Sequence, residues 1–155
     1  MQHEMDEAMM RLALEEACAA GASGDVPVGA VIVGPDGSVI ARAHNQREAD
    51  GDPTAHAELL AMRQAAQKLG SWRLRGCTLY VTLEPCPMCA GAMVMSQLPH
   101  CVYGAADEAA GCCGSVYDLP ADPALNGGNG QWRSGVLAQE AGEMLKTFFE
   151  KRRGK

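Results

Sequence analysis

No apolar run among the 155 residues reaches the roughly 18 that a membrane-spanning helix requires, so no membrane span is expected. The opening stretch, MQHEMDEAMM, has neither the basic n-region nor the apolar h-region of a secretory signal, and cytoplasm is the expected compartment. Internal repeats and a domain linker are also missing, which leaves one domain over residues 1–155, long enough to bury a core. Charged residues are 21% against 47% apolar, which excludes a disordered chain. There is no positive excess either: the net charge of −6 argues against a general nucleic-acid binder. The one basic stretch is KTFFEKRRGK at 146–155, a local +4 that leaves −10 on residues 1–145. Such a patch suits phosphates, although from composition alone a solvated helix end is the commoner explanation.

What the chain does have is cysteine, seven in all. An odd count without an export signal points to reduced thiols and metal ligation rather than to a disulfide framework. Residues 3 to about 20 read as a helix with Met5, Met9, Leu12 and Ala13 on one buried face. In VPVGAVIVGPDGSVIARAHN two β-branched runs flank Gly-Pro-Asp-Gly, a hairpin signal. A helix is expected from about 56 to 69, ending at Gly70, then a buried strand at 77–83. The segment EPCPMCAGAMVMSQ puts its cysteines at a helix start, and HCVYGA reads as a further strand parallel to the one at 77–83. DLPADPALNGGNGQW reads as a surface loop, and a last helix runs from about 138 to 152. Strands and helices in this order give an α/β sheet covered on both faces.

PCPMC supplies Cys86 and Cys89 in C-x-x-C spacing, shared by zinc sites and redox pairs. At a helix start both thiols can face one ion, and the helix dipole favours their thiolate forms. His56 is the evident third ligand, and three ligands leave a position open, as catalytic zinc requires. A fourth cysteine, from Cys77, Cys101, Cys112 or Cys113, would close the site and make it structural. Glu58 discriminates between these. Residues i and i+2 do not share a helix side, so His56 and Glu58 serve one site only if it lies end-on to the helix. Glu58 would then be a general acid–base beside the metal, where otherwise it is a favourable first-turn acid.

H-x-E followed about 27 residues later by P-C-x-x-C is a known zinc nucleobase-deaminase signature, in which activated water attacks the amine-bearing ring carbon and the glutamate moves the protons. The segments VPVGAVIV, HN at 44–45, DPTAHAE, TLYVTLEPCPMCAGAM, VYGAADEAAGCCGSVYDL and FFEKRR, in that order, resemble the bacterial tRNA-specific adenosine deaminase family over roughly residues 26–153. The resemblance implies a cytidine-deaminase-like three-layer αβα sandwich with a central mixed five-stranded sheet. It implies a homodimer that binds the tRNA anticodon stem-loop across both subunits and converts the wobble adenosine, chiefly of arginine tRNA, to inosine. It makes His56, Cys86 and Cys89 ligands of one Zn2+ per chain and Glu58 the proton shuttle. Asn45 would then hydrogen-bond the flipped base, with Val28 and Ala57 lining its pocket. Asp107 would touch a neighbouring nucleotide, and Phe148, Phe149, Arg152 and Arg153 would approach the anticodon stem.

The chain departs from the family in three places. Ala109 replaces the usual lysine, which removes one phosphate contact. The loop LNGGNGQW differs around Asn126, and Cys112 and Cys113 replace small residues and read as packed thiols. Two other readings stay open. One is a guanine, cytosine or nucleoside deaminase on the same scaffold, which the acidic balance suits. The other is a non-catalytic zinc-stabilised RNA-binding module, which needs neither Glu58 nor an open metal position.

Overall fold

The computed structural model describes residues 2–125 and 128–153. Asn126 therefore lies outside the described residues. Helix α1 (Gln2–Ala22) leads into a hairpin of β1 (Gly29–Val33) and β2 (Val39–His44). The turn between them closes with Gly37 N–H donating to the Gly34 carbonyl, and the Asp36 carboxylate accepts from both the backbone and the hydroxyl of Ser38. A short α2 (Arg47–Asp50) precedes α3 (Ala57–Leu69), which ends on left-handed Gly70 as the sequence predicts. Then come β3 (Thr78–Leu83), α4 (Pro87–Met95), β4 (His100–Ala105), β5 (Gln131–Arg133) and α5 (Ala138–Arg153).

The sheet order is β2-β1-β3-β4-β5. β1 pairs antiparallel with β2 and β3, while β3–β4 and β4–β5 are parallel, so the five-stranded sheet is mixed, as expected. Side chains alternate between its two faces. Val31, Val33, Tyr80 and Val102 pack under α1 with Met10 and Ala13. Ala30, Ile32, Leu79, Val81 and Cys101 pack against α3 and α4 through Ala61, Met62, Ala90 and Met93. Burial on both faces makes the central strands continuously apolar. Each large buried side chain, Ile32 or Leu79 for example, contributes about 1.5–3 kcal/mol. Among the described residues no helix is long and apolar enough to cross a membrane.

Two sequence expectations are corrected. The buried face of α1 centres on Asp6, Met10, Ala13, Ala17 and Ala20, with Met5, Met9 and Leu12 on its flank. The reason is a close backbone approach: a Cβ at Gly29 would overlap the Ala13 carbonyl and the Ala17 nitrogen, so only alanines fit at the contact. The stretch 118–132 is not loop throughout, because Gln131 and Trp132 begin β5, paired with His100 and Cys101.

Candidate active site

The chain turns into α3 and α4 at the same end of the sheet, and each helix begins on a metal-binding residue type. His56 is the N-cap of α3 and Cys86 the N-cap of α4, both extended, and neither side chain caps its own helix. Pro87 at the first position of α4 fixes that entry without losing a hydrogen bond. Cys89, one turn on, is fully buried. His56 Nδ1 stands 3.7 Å from Cys86 Sγ and 3.6 Å from Cys89 Sγ, and the three ligand atoms lie within 4.8 Å of one another.

These separations test whether zinc fits. With zinc–sulfur bonds of about 2.3 Å and zinc–nitrogen bonds of about 2.0–2.1 Å, tetrahedral nitrogen and sulfur ligands stand about 3.5–3.6 Å apart. The observed spacing is that of a zinc donor set. Proton affinities agree: the hydrogen bond between the two thiols lowers the Cys86 pKa and raises that of Cys89, which burial raises further. Cysteine ligates a metal as thiolate, so a cation held here would displace a thiol proton. The hydrogen bond to Cys86 raises the His56 pKa above 6.5 despite burial. Among the described residues this is the one such cluster of three. Cys77, Cys101, Cys112 and Cys113 are buried elsewhere in the core, so none closes the site.

Glu58, in the first turn of α3, is 4% exposed, and burial drives its pKa up to about 7. Its carboxylate meets its own backbone N–H and the Cys89 thiol, and it senses His56 electrostatically. The end-on arrangement expected of an H-x-E pair is what the helix start produces. Asn45 is buried beside it: its Oδ1 accepts from Ala57 N–H at 2.8 Å, and its Nδ2 donates to the Val26 carbonyl at 3.1 Å. The Asn45 N–H itself reaches the Val28 carbonyl at 3.1 Å. Asn45, Val28 and Ala57 therefore form one buried corner at the start of α3. Sequence reasoning missed this capping role, because it joins residues 12 apart.

The remaining residues lie further out. Asp107 is half-buried and caps its own turn, its Oδ1 accepting from the Ala109 and Ala110 N–H groups. Cys112 N–H donates to the Pro85 carbonyl at 2.8 Å, which joins that turn to the Cys86 strand end. Arg152 donates to the Gly24 carbonyl at 2.6 Å and lies 4.8 Å over the Phe148 ring, so α5 docks two residues from Val26, the partner of Asn45. Phe149 and Arg153 are exposed. Sequence reasoning also missed Arg47, whose charge opposes protonation of His56 and which faces the Asp25 carboxylate at 3.9 Å.

Residues 3–105 match the family described as the cytidine and deoxycytidylate deaminase zinc-binding region. The chain is 49% identical to the tRNA-specific adenosine deaminase of Bacillus subtilis, covering 97% of this chain and 92% of that protein. A solved structure from a study of A-to-I editing by tRNA:A34 deaminases superposes with a TM-score of 0.84 at 42% identity, covering 89% of this chain and 99% of that one. The guanine deaminase of Nitrosomonas europaea also superposes, with a TM-score of 0.78, but at 26% identity, covering 92% of this chain and 83% of that one. Shared architecture thus extends to a guanine deaminase at 26% identity, while the tRNA-specific adenosine deaminase of Bacillus subtilis reaches 49% over almost the whole length. By that measure the protein belongs to the tRNA-specific adenosine deaminase family, within the cytidine and deoxycytidylate deaminases.

Proposed function

We propose that the chain, folded as one deaminase domain, converts adenosine to inosine at the wobble position of a tRNA anticodon, that of arginine tRNA above all, as a cytoplasmic homodimer. The observation that carries this reading is a buried carboxylate with few partners, two residues from a three-ligand metal site. A closed structural zinc needs no such acid. The reaction consumes water and releases ammonia.

His56 Nδ1, Cys86 Sγ and Cys89 Sγ would hold zinc, which when bound supplies Lewis-acid activation of water near neutral pH. Glu58 takes one proton from the attacking water and delivers it to the ring nitrogen next to the reacting carbon, then takes the second from the newly attached hydroxyl and gives it to the amine, which departs as ammonia. Its raised pKa suits a group that must both accept and donate near neutrality. Asn45 holds the base. An amide has two N–H donors and two acceptor lone pairs, so its bonds to Ala57 and Val26 leave one of each for the substrate edge. Those bonds also fix its rotamer before the base arrives. Val28 and Ala57 supply the apolar wall.

Asp107 meets a neighbouring nucleotide, and Arg152 and Arg153 approach the anticodon stem, with Arg152 held by Gly24 and Phe148. Exposed Met95 and Met88 on α4 support a second copy as partner. The test is one assay with four substrates: an arginine-tRNA anticodon stem-loop, free adenosine, cytidine and guanine. Inosine in the stem-loop alone is the expected result. Turnover of a free base without inosine in the stem-loop would replace this reading with the small-molecule deaminase.

A further inference from the structure

A second buried carboxylate stands close to the metal site and takes no part in the chemistry above. Glu84 follows β3 directly, two residues before Cys86, and is 2% exposed. Its Oε1 accepts from Asp107 N–H at 3.0 Å and from the Ser115 hydroxyl. Its Oε2 accepts from Cys113 N–H at 2.9 Å and Ser115 N–H at 3.1 Å. A carboxylate offers about four acceptor sites, and here four donors from one segment, 107–115, fill them. Gly111 lets the segment wrap this closely, since a Cβ there would overlap both the Glu84 carboxyl group and the Asp107 carbonyl. Glu84 N–H meanwhile donates to the Ala105 carbonyl at 2.9 Å, tying it to the end of β4.

We infer that Glu84 is a positioning residue for RNA engagement: through these four bonds it mounts the 107–115 segment, with Asp107 at its head, on the same strand end that carries Cys86. The inference rests on the stem-loop reading above, in which Asp107 meets a nucleotide next to the target. Without these bonds the segment would be held by its chain ends and by single contacts at Cys112 and Cys113, with nothing fixing Asp107 relative to the base pocket. The four bonds convert that freedom into one register, and the entropy of ordering is spent in folding rather than in binding. The carboxylate form is required. An amide at this position has one acceptor oxygen, and its own N–H groups would face the Cys113 and Ser115 donors.

The test is steady-state deamination of the anticodon stem-loop by Glu84→Gln and Ser115→Ala, each alone and combined with Asp107→Ala. Glu84→Gln should raise KM about tenfold or more, keep kcat within about threefold and retain one zinc per chain. In the Asp107→Ala background the same substitution should change KM less than about twofold, because both act through one contact. A role confined to general stability would lower the melting temperature and scale down the active fraction with KM unmoved. That pattern, loss of zinc, or full additivity with Asp107→Ala would overturn the inference. Should Glu84→Gln not fold, the exposed Ser115→Ala decides: KM up about two- to fivefold with an unchanged melting temperature supports the inference, and unchanged KM overturns it. Wild-type enzyme that makes no inosine in the stem-loop would sink the functional reading itself, and this inference with it.

Discussion

Asp6 under α1 and Glu58 at the start of α3 are buried to the same degree, each 4% exposed, on opposite faces of one sheet. Their surroundings differ. The Asp6 carboxylate accepts from Gln2 and Tyr80 at 2.9 Å each and from two nitrogens of Arg133 at 2.9 and 3.1 Å. Burial alone would raise its pKa, yet the bonds from Arg133, Gln2 and Tyr80 outweigh burial and hold it below the ordinary 3.8. Tyr80 is correspondingly pushed up to about 12, by burial first and by Asp6 second. At Glu58 burial prevails, and the pKa rises to about 7. Equal solvent exposure thus hides two differences: Asp6 is met by converging donors that hold its charge, whereas Glu58 lies deeper and has fewer donors, so burial prevails there. One face of the sheet carries a paired carboxylate, the other the carboxylate proposed to move protons.

Removing the metal should separate the two faces most sharply. Chelation is expected to abolish inosine formation and to lower the melting temperature by several degrees, both restored by about one zinc per chain. Metal analysis with thermal melts and activity before and after readdition checks this. Survival of activity in the apo-protein would break the assignment of His56, Cys86 and Cys89.

Asp6→Ala should do the reverse. It leaves Arg133 and the Tyr80 hydroxyl without their acceptor and should cost about 2–3 kcal/mol, a drop of roughly 4–10 °C in melting temperature. The kcat/KM of the folded enzyme should be unchanged. A fall in kcat/KM with no loss of stability would mean that the α1 face takes part in the reaction.

A smaller effect follows from the depressed Asp6 pKa. A carboxylate ionised more readily in the folded than in the unfolded state stabilises the protein above the unfolded pKa, here near 3.8. That contribution is lost as pH falls through the lower folded value. Melting temperature should therefore fall below about pH 4 in the wild type, and less steeply in Asp6→Asn. Equal slopes in the two proteins would assign the acid sensitivity to other groups.

The smallest expected change concerns the rim. Arg152→Ala should weaken stem-loop binding about three- to tenfold and reduce the slope of log affinity against log salt by about 1, with no change in kcat. Binding titrations at several salt concentrations measure it. An unaltered salt slope would leave Arg152 as a purely intramolecular tether to Gly24 and Phe148.

The chemical face was the more legible of the two in the sequence. H-x-E and C-x-x-C mark residues that must sit at helix starts, and helix starts carry local signals in proline, threonine and the onset of apolar periodicity. The hairpin, α3 with its Gly70 terminus, β3, α4, β4 and α5 all lie within a few residues of their expected bounds. What was not legible depends on distant partners. Asp6 reads as a polar residue in an acidic helix start, and only Tyr80 and Arg133, 74 and 127 residues away, make it a core residue. Glu84 is hidden for the same reason, its donors standing 23 to 31 residues on. β5 is three residues at a sheet edge with Trp132 alone half-buried, too short to show alternation. The position of the α1 stripe could not be read from residue size, because the alanines mark the close contact with Gly29 and the larger methionines flank it.

Zinc-loaded Glu58→Gln, assayed for inosine in the anticodon stem-loop, bears on the difference between the two buried acids most directly. With one zinc per chain and a melting temperature no lower than that of the wild type, inosine formation should fall at least about 10²–10⁴-fold. Near-wild-type inosine from a fully loaded, folded Glu58→Gln would contradict the role of Glu58 as the group that moves the proton.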